Sequence, residues 1–131
     1  MSTLKVDNIQ NTSAAHGSTP EQIARGRAKK WINFNAQDNT IRDDFGISSI
    51  TDHSTGQFTL NFDGNMSNAN YSVAAFCFRN GSGKVVAHID TVSTYTTSAI
   101  RIMTSGGNNT GNLGLNVVEP LYVFIHIFGD N

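Results

Sequence analysis

From Lys30 onward, apolar and polar positions alternate with period two, and turn residues break the alternation roughly every 8–12 positions. That pattern predicts an all-β body, an antiparallel sandwich or jelly-roll-like arrangement. Strands are predicted over Lys30–Asn35, Thr40–Phe45, Ile47–Asp52, Gln57–Asp63, Tyr71–Asn80, Lys84–Ser93, Thr96–Thr104 and Leu121–Phe128. In the fourth, Phe58, Leu60 and Phe62 fall on one face, which marks that face as core. Asn80-Gly81-Ser82-Gly83 separates two long strands with residues that tolerate positive φ, so a hairpin is predicted there. Ser105 to Asn112 is almost entirely small and polar and is predicted to be an exposed loop.

The last strand breaks the rule. One face carries Leu121, Val123, Ile125 and Ile127, while the other carries Tyr122, Phe124, His126 and Phe128. An antiparallel strand normally wets one side, so a strand apolar on both is covered twice or lends its second face to another subunit. Tyr71–Phe78 shows a milder form, with Phe76 and Phe78 opposite Val73, Ala75 and Cys77. In a chain this small, a neighbouring copy is the expected cover. Tyr122, Phe124, His126 and Phe128 are therefore the predicted oligomer interface.

The N-terminal part reads differently. Leu4, Val6 and Ile9 punctuate a short extended segment that is too small to fold alone and must pair with something else. They are the predicted docking contacts of an arm. Residues 13–18 read as a linker. Thr19 is then a plausible N-cap, Pro20 suits the first helical position and Gln22 completes a capping box, predicting about two helical turns before Gly26. The chain thus divides into an arm and linker over 1–18, a helical neck over 19–29 and a β-body over 30–131.

Composition sharpens this picture. The 131 residues suffice for one domain with a real core. Asn, Ser, Thr and Gly account for 52 of them, which favours strands and turns over helices. The single cysteine, Cys77, excludes an intramolecular disulfide. No apolar run is long enough to cross a bilayer as a helix, and Met1 is followed by polar sequence, so neither membrane nor signal peptide is expected. The net charge of −1 hides a split, with +3 on residues 1–30 and −4 on the remainder.

Candidate chemistry is sparse. His16, His53, His88 and His126 have no metal-ligand spacing, so no metal or cofactor is expected. Asp43 and Asp44 are adjacent on a strand, point to opposite faces and cannot share a substrate. Cys77 lies between phenylalanines without a base nearby and reads as a buried apolar residue. Arg25 to Lys30 holds four basic residues, yet few aromatics interleave and the body is acidic, so nucleic acid is not the expected partner. A non-enzymatic role follows.

The stretch from Thr19 through Asn35 resembles a segment of small virion structural proteins of the tail-fibre type from tailed bacteriophages, especially marine and cyanobacterial ones. The resemblance continues through Ile41-Arg42-Asp43, Ile47 to Asp52, Gly56 to Phe62, Met66 and Ala69 to Val73, and includes Ser2 to Gln10. It implies that the arm docks onto another virion protein and that the β-body assembles as a trimer. The product would be made in the host cytoplasm and incorporated into the virion. It also implies a surface offered to the host, with a host glycan as ligand. Two alternatives remain open: a capsid cement, decoration or head-fibre protein gripping the shell, and a carbohydrate-binding module in which Tyr95 or Tyr122 stacks on sugar rings.

Overall fold

The structure, a computed structural model, describes residues 2–3, 5–10, 17–80, 84–90, 95–107 and 116–130. Among them one helix, α1 (Pro20–Gly26), precedes nine strands: β1 (Lys30–Phe34), β2 (Ile41–Phe45), β3 (Ile47–Ser54), β4 (Gln57–Phe62), β5 (Ser72–Phe78), β6 (Lys84–Ile89), β7 (Ala99–Gly107), β8 (Asn116–Val117) and β9 (Tyr122–Phe128). The helix has the predicted cap. The Gln22 backbone N–H donates to Thr19 Oγ1 at 3.2 Å, and the Thr19 N–H donates to Gln22 Oε1 at 2.9 Å. With no buried residue to anchor it, α1 stops after seven residues.

The strands form two antiparallel sheets packed as a sandwich. The four-stranded sheet has the order β2-β1-β9-β5, and the second has β3-β4-β7-β6 with β8 pairing the far end of β7. A loop over residues 35–40 joins β1 to β2, and a tight turn joins β3 to β4. The second uses Gly56 at φ 70°, and Gly46 at φ 76° lets the chain cross from β2 into β3 of the other sheet.

Alternation decides what is inside. Along β9, Val123, Ile125 and Ile127 have no exposed surface, and along β4 the same holds for Phe58 and Leu60. Phe34 of β1 meets Phe58 of β4 edge to face, with ring centroids 5.5 Å apart, so this pair bridges the sheets at the middle of the core. Val73, Ala75 and Cys77 close the core from β5, and Ala87 and Ile89 from β6.

Two expectations are corrected. The predicted hairpin pairing of β5 with β6 is not present, since β5 pairs with β9 and β6 with β7; residues 81–83 themselves lie outside the described residues. Turn-forming residues specify that the chain reverses, not which sheet it enters. Ser105, Gly106 and Gly107 are the buried end of β7 rather than a loop. Their small side chains are what that place requires, because a Cβ on Gly106 would lie 3.2 Å from the Lys84 carbonyl and from both Val118 methyls. The rest of that predicted loop, from Asn108, lies outside the described residues.

Candidate assembly surface

The two outward faces of the sandwich differ in kind. On the second sheet, Ser49, Thr51 and His53 of β3 alternate with inward positions and meet Asn61 and Thr59 of β4. These groups satisfy one another: Asn61 Nδ2 donates to Ser49 Oγ at 3.0 Å and to Thr51 Oγ1 at 2.9 Å, and His53 Nε2 and Thr59 Oγ1 are 2.9 Å apart. Arg101 of β7 donates from Nη2 to Gln57 Oε1 at 2.6 Å. This is an ordinary wet face.

The outer face of the four-stranded sheet is aromatic. Tyr122, Phe124, His126 and Phe128 all project there, opposite the buried Val123, Ile125 and Ile127. Cross-strand register extends the row. Phe78 pairs with Tyr122 and Phe76 with Phe124 on one side, Trp31 pairs with His126 on the other, and Phe45 of the edge strand pairs with Trp31. Seven of the twelve aromatic residues of the chain therefore share one outward surface. Phe45, Phe76 and Phe78 remain 57%, 63% and 58% exposed.

Within this surface the rings partly shield one another. Tyr122 and Phe124 are nearly parallel at a centroid distance of 6.0 Å, and Phe78 lies 6.0 Å from Tyr122. The Arg42 guanidinium sits over the Tyr122 ring at 4.1 Å, a cation–π contact at the edge of the patch. That contact occupies one face of the Tyr122 ring. Tyr95 stacks on Tyr71 at 4.4 Å, its hydroxyl donates to the Tyr71 carbonyl, and it packs against the core. Burial raises its pKa above the usual 10.0.

Of the docking contacts, Val6 and Ile9 are 41% and 54% exposed, and Leu4 lies outside the described residues. Ile9 and Ser18 exchange backbone hydrogen bonds at 2.9 and 2.8 Å, which closes the arm on its own linker. The arm's described side chains stay in solvent.

The basic run is divided. Arg25 forms an exposed i,i+4 ion pair with Glu21 at 2.8 Å. Lys30, by contrast, is buried at the end of the core, with its ammonium 3.2 Å from Asp63 and 5.2 Å from the centre of the Phe62 ring. Cys77 points into the core, and burial pushes its thiol up to about 11. Among the described residues no group of three or more His, Cys, Asp or Glu side chains is arranged to hold a metal ion. No described helix is long and apolar enough to cross a membrane.

Sequence reasoning placed the β9 and β5 aromatics on outward faces but missed Trp31 and Phe45. Trp31 alternates with the core residues Ile32 and Phe34, a signal that was present. The union of four strands into one surface depends on register, which one strand's pattern does not specify. Comparison with protein-family models, with curated proteins and with solved structures finds no match to this chain.

Proposed function

We propose that this chain is a structural component of a tailed-phage virion, of the tail-fibre type. It docks through the arm that carries Leu4, Val6 and Ile9, and its β-body associates as a homotrimer through the aromatic face of the four-stranded sheet. The opposite, hydroxyl-rich face and the end of the sandwich where β2 crosses into β3 are then left outward, toward solvent and the host surface.

The observation that carries this reading is the joined aromatic surface of β5, β9 and β1, with Phe45 left at its rim on the edge strand β2. Contiguous apolar patches of this kind mark interaction sites on soluble domains. Burying the mostly exposed Phe76 and Phe78 contributes roughly 1–2 kcal/mol each. Association costs at least about 4 kcal/mol in lost freedom. A stable contact must therefore also cover Trp31, Tyr122 and Phe124. The solvent-facing arm supports the docking half of the proposal, because Val6 and Ile9 find no cover in their own body.

The test is to locate the tagged chain on purified particles by electron microscopy. Label on the tail supports the proposal. Label over the head shell supports shell decoration instead, and a chain absent from particles contradicts both.

A further inference from the structure

A second feature lies at the end of the sandwich where β1, the β2–β3 crossing and the turn after β4 converge. Lys29, Lys30, Phe45, Gly46, Asp63 and Asn65, with Gly64, line a cleft of about 290 Å³, close to the lower limit of roughly 300 Å³ for small-molecule sites. Its walls are tied together: the Asp63 N–H donates to the Gly46 carbonyl at 3.2 Å.

The cation at its base is held in place. The Lys30 side chain is only 5% exposed, whereas its partner Asp63 is 60% exposed. Gly46 makes room for it, since a Cβ there would stand 3.0 Å from Lys30 Cγ and 3.2 Å from Nζ. A buried ammonium with a single, largely solvated counter-ion is costly for stability alone. The charged groups lining the cleft are two lysines against one aspartate, an excess of one positive charge. Phe45, 57% exposed, supplies an aromatic surface at the mouth. Asp63 and Asn65 add a hydrogen-bond acceptor and an amide.

We propose that this cleft binds a carboxylated sugar, a terminal acidic monosaccharide of a surface glycan. The sugar ring stacks its C–H face on Phe45, its carboxylate meets the lysines, and its hydroxyls bond to Asp63 and Asn65. A neutral sugar would leave the excess positive charge unmet, and a bare carboxylate would leave the aromatic surface unused. This site deepens the host-surface element of the proposed function and rests on that reading for its setting. Binding itself requires only the folded chain.

The test is a ¹H–¹⁵N chemical-shift titration of the full chain with glucuronate, and in parallel with glucose and with acetate. Glucuronate is predicted to move the Gly46, Gly64 and Asn65 amides with a dissociation constant in the millimolar range, and glucose and acetate to leave them in place. Lys29→Ala and Phe45→Ser each weaken binding by about tenfold, the effect of roughly 1.4 kcal/mol per lost contact, and Lys29→Ala leaves the remaining spectrum unaltered. Equal shifts with acetate, equal shifts with glucose, or no shifts with glucuronate would each overturn the site. The oligomeric state, measured on the same samples by light scattering, reports separately on the assembly.

Discussion

Phe76 of β5 stands directly across from Phe124 of β9 on the outer side of the four-stranded sheet, and Phe76 still keeps 63% of its surface in solvent. Their neighbours in the core, Ala75 and Ile125, are likewise paired, with Ile125 fully buried. One strand pair thus contributes to the interior with one face and leaves an equally apolar face open.

That open face predicts a specific defect. Phe76→Asp combined with Phe78→Asp touches residues that are exposed in the single chain, so folding stability should change by no more than about 0.5 kcal/mol per site. In an assembled body the same charges would be buried without partners, which is costly. The expected outcome is an unchanged circular dichroism spectrum with dissociation to monomer in light scattering.

The arm yields a separable prediction. Removing residues 1–12 should leave the thermal unfolding of the β-body unchanged, because Val6 and Ile9 are exposed. Incorporation into particles should be lost, measured by immunoblot of purified virions. Full incorporation of the truncated chain would contradict the docking role.

Gly56→Ala should destabilise the fold severely. Gly56 has φ +70°, and a Cβ would lie 2.7 Å from the Thr104 carbonyl and 2.8 Å from that of Val118. Backbone strain and steric conflict together should cost about 2 kcal/mol or more, read from the denaturant midpoint. Gly26→Ala is the matching control: nothing lies within 4 Å of its Cβ, and it ends an exposed helix. That change should be neutral or stabilise by up to about 1 kcal/mol.

The Cys77 thiol gives a pH-dependent prediction. Burial raises it from 9.0 to about 11, so the folded state favours the neutral thiol. The associated stability is intact below pH 9 and is lost as the pH rises through about 11. Burial also raises the pKa values of Tyr71 and Tyr95, which acts in the same alkaline direction. Alkylation of Cys77 at neutral pH should therefore be slow in the native protein and fast in denaturant.

Much of the architecture was legible because local chemistry and tertiary context agree. Phe58, Leu60 and Phe62 alternate, and they are core; Thr19, Pro20 and Gln22 spell a cap, and the cap is there. The double-faced pattern of β9 also carried through to the structure, with one set of side chains fully buried and the other outward. What failed was non-local. Asn80–Gly83 reads as a hairpin although β5 and β6 belong to different sheets, and Ser105 to Gly107 look like a loop until β6 and β8 are placed beside them. Tyr95 read as a candidate platform because its ring partner, Tyr71, is distant in sequence. The burial of Lys30 was not legible in the basic run from Arg25, because only the fold brings Gly46, Phe62 and Asp63 around it.

The most direct test of self-association through the aromatic face is the native mass of the intact chain at micromolar concentration, by native mass spectrometry or light scattering. The account predicts a particle of three times the 14.2 kDa chain mass, reduced to a single chain by the Phe76→Asp and Phe78→Asp pair. A wild-type protein that runs as a 14.2 kDa monomer under those conditions would contradict it.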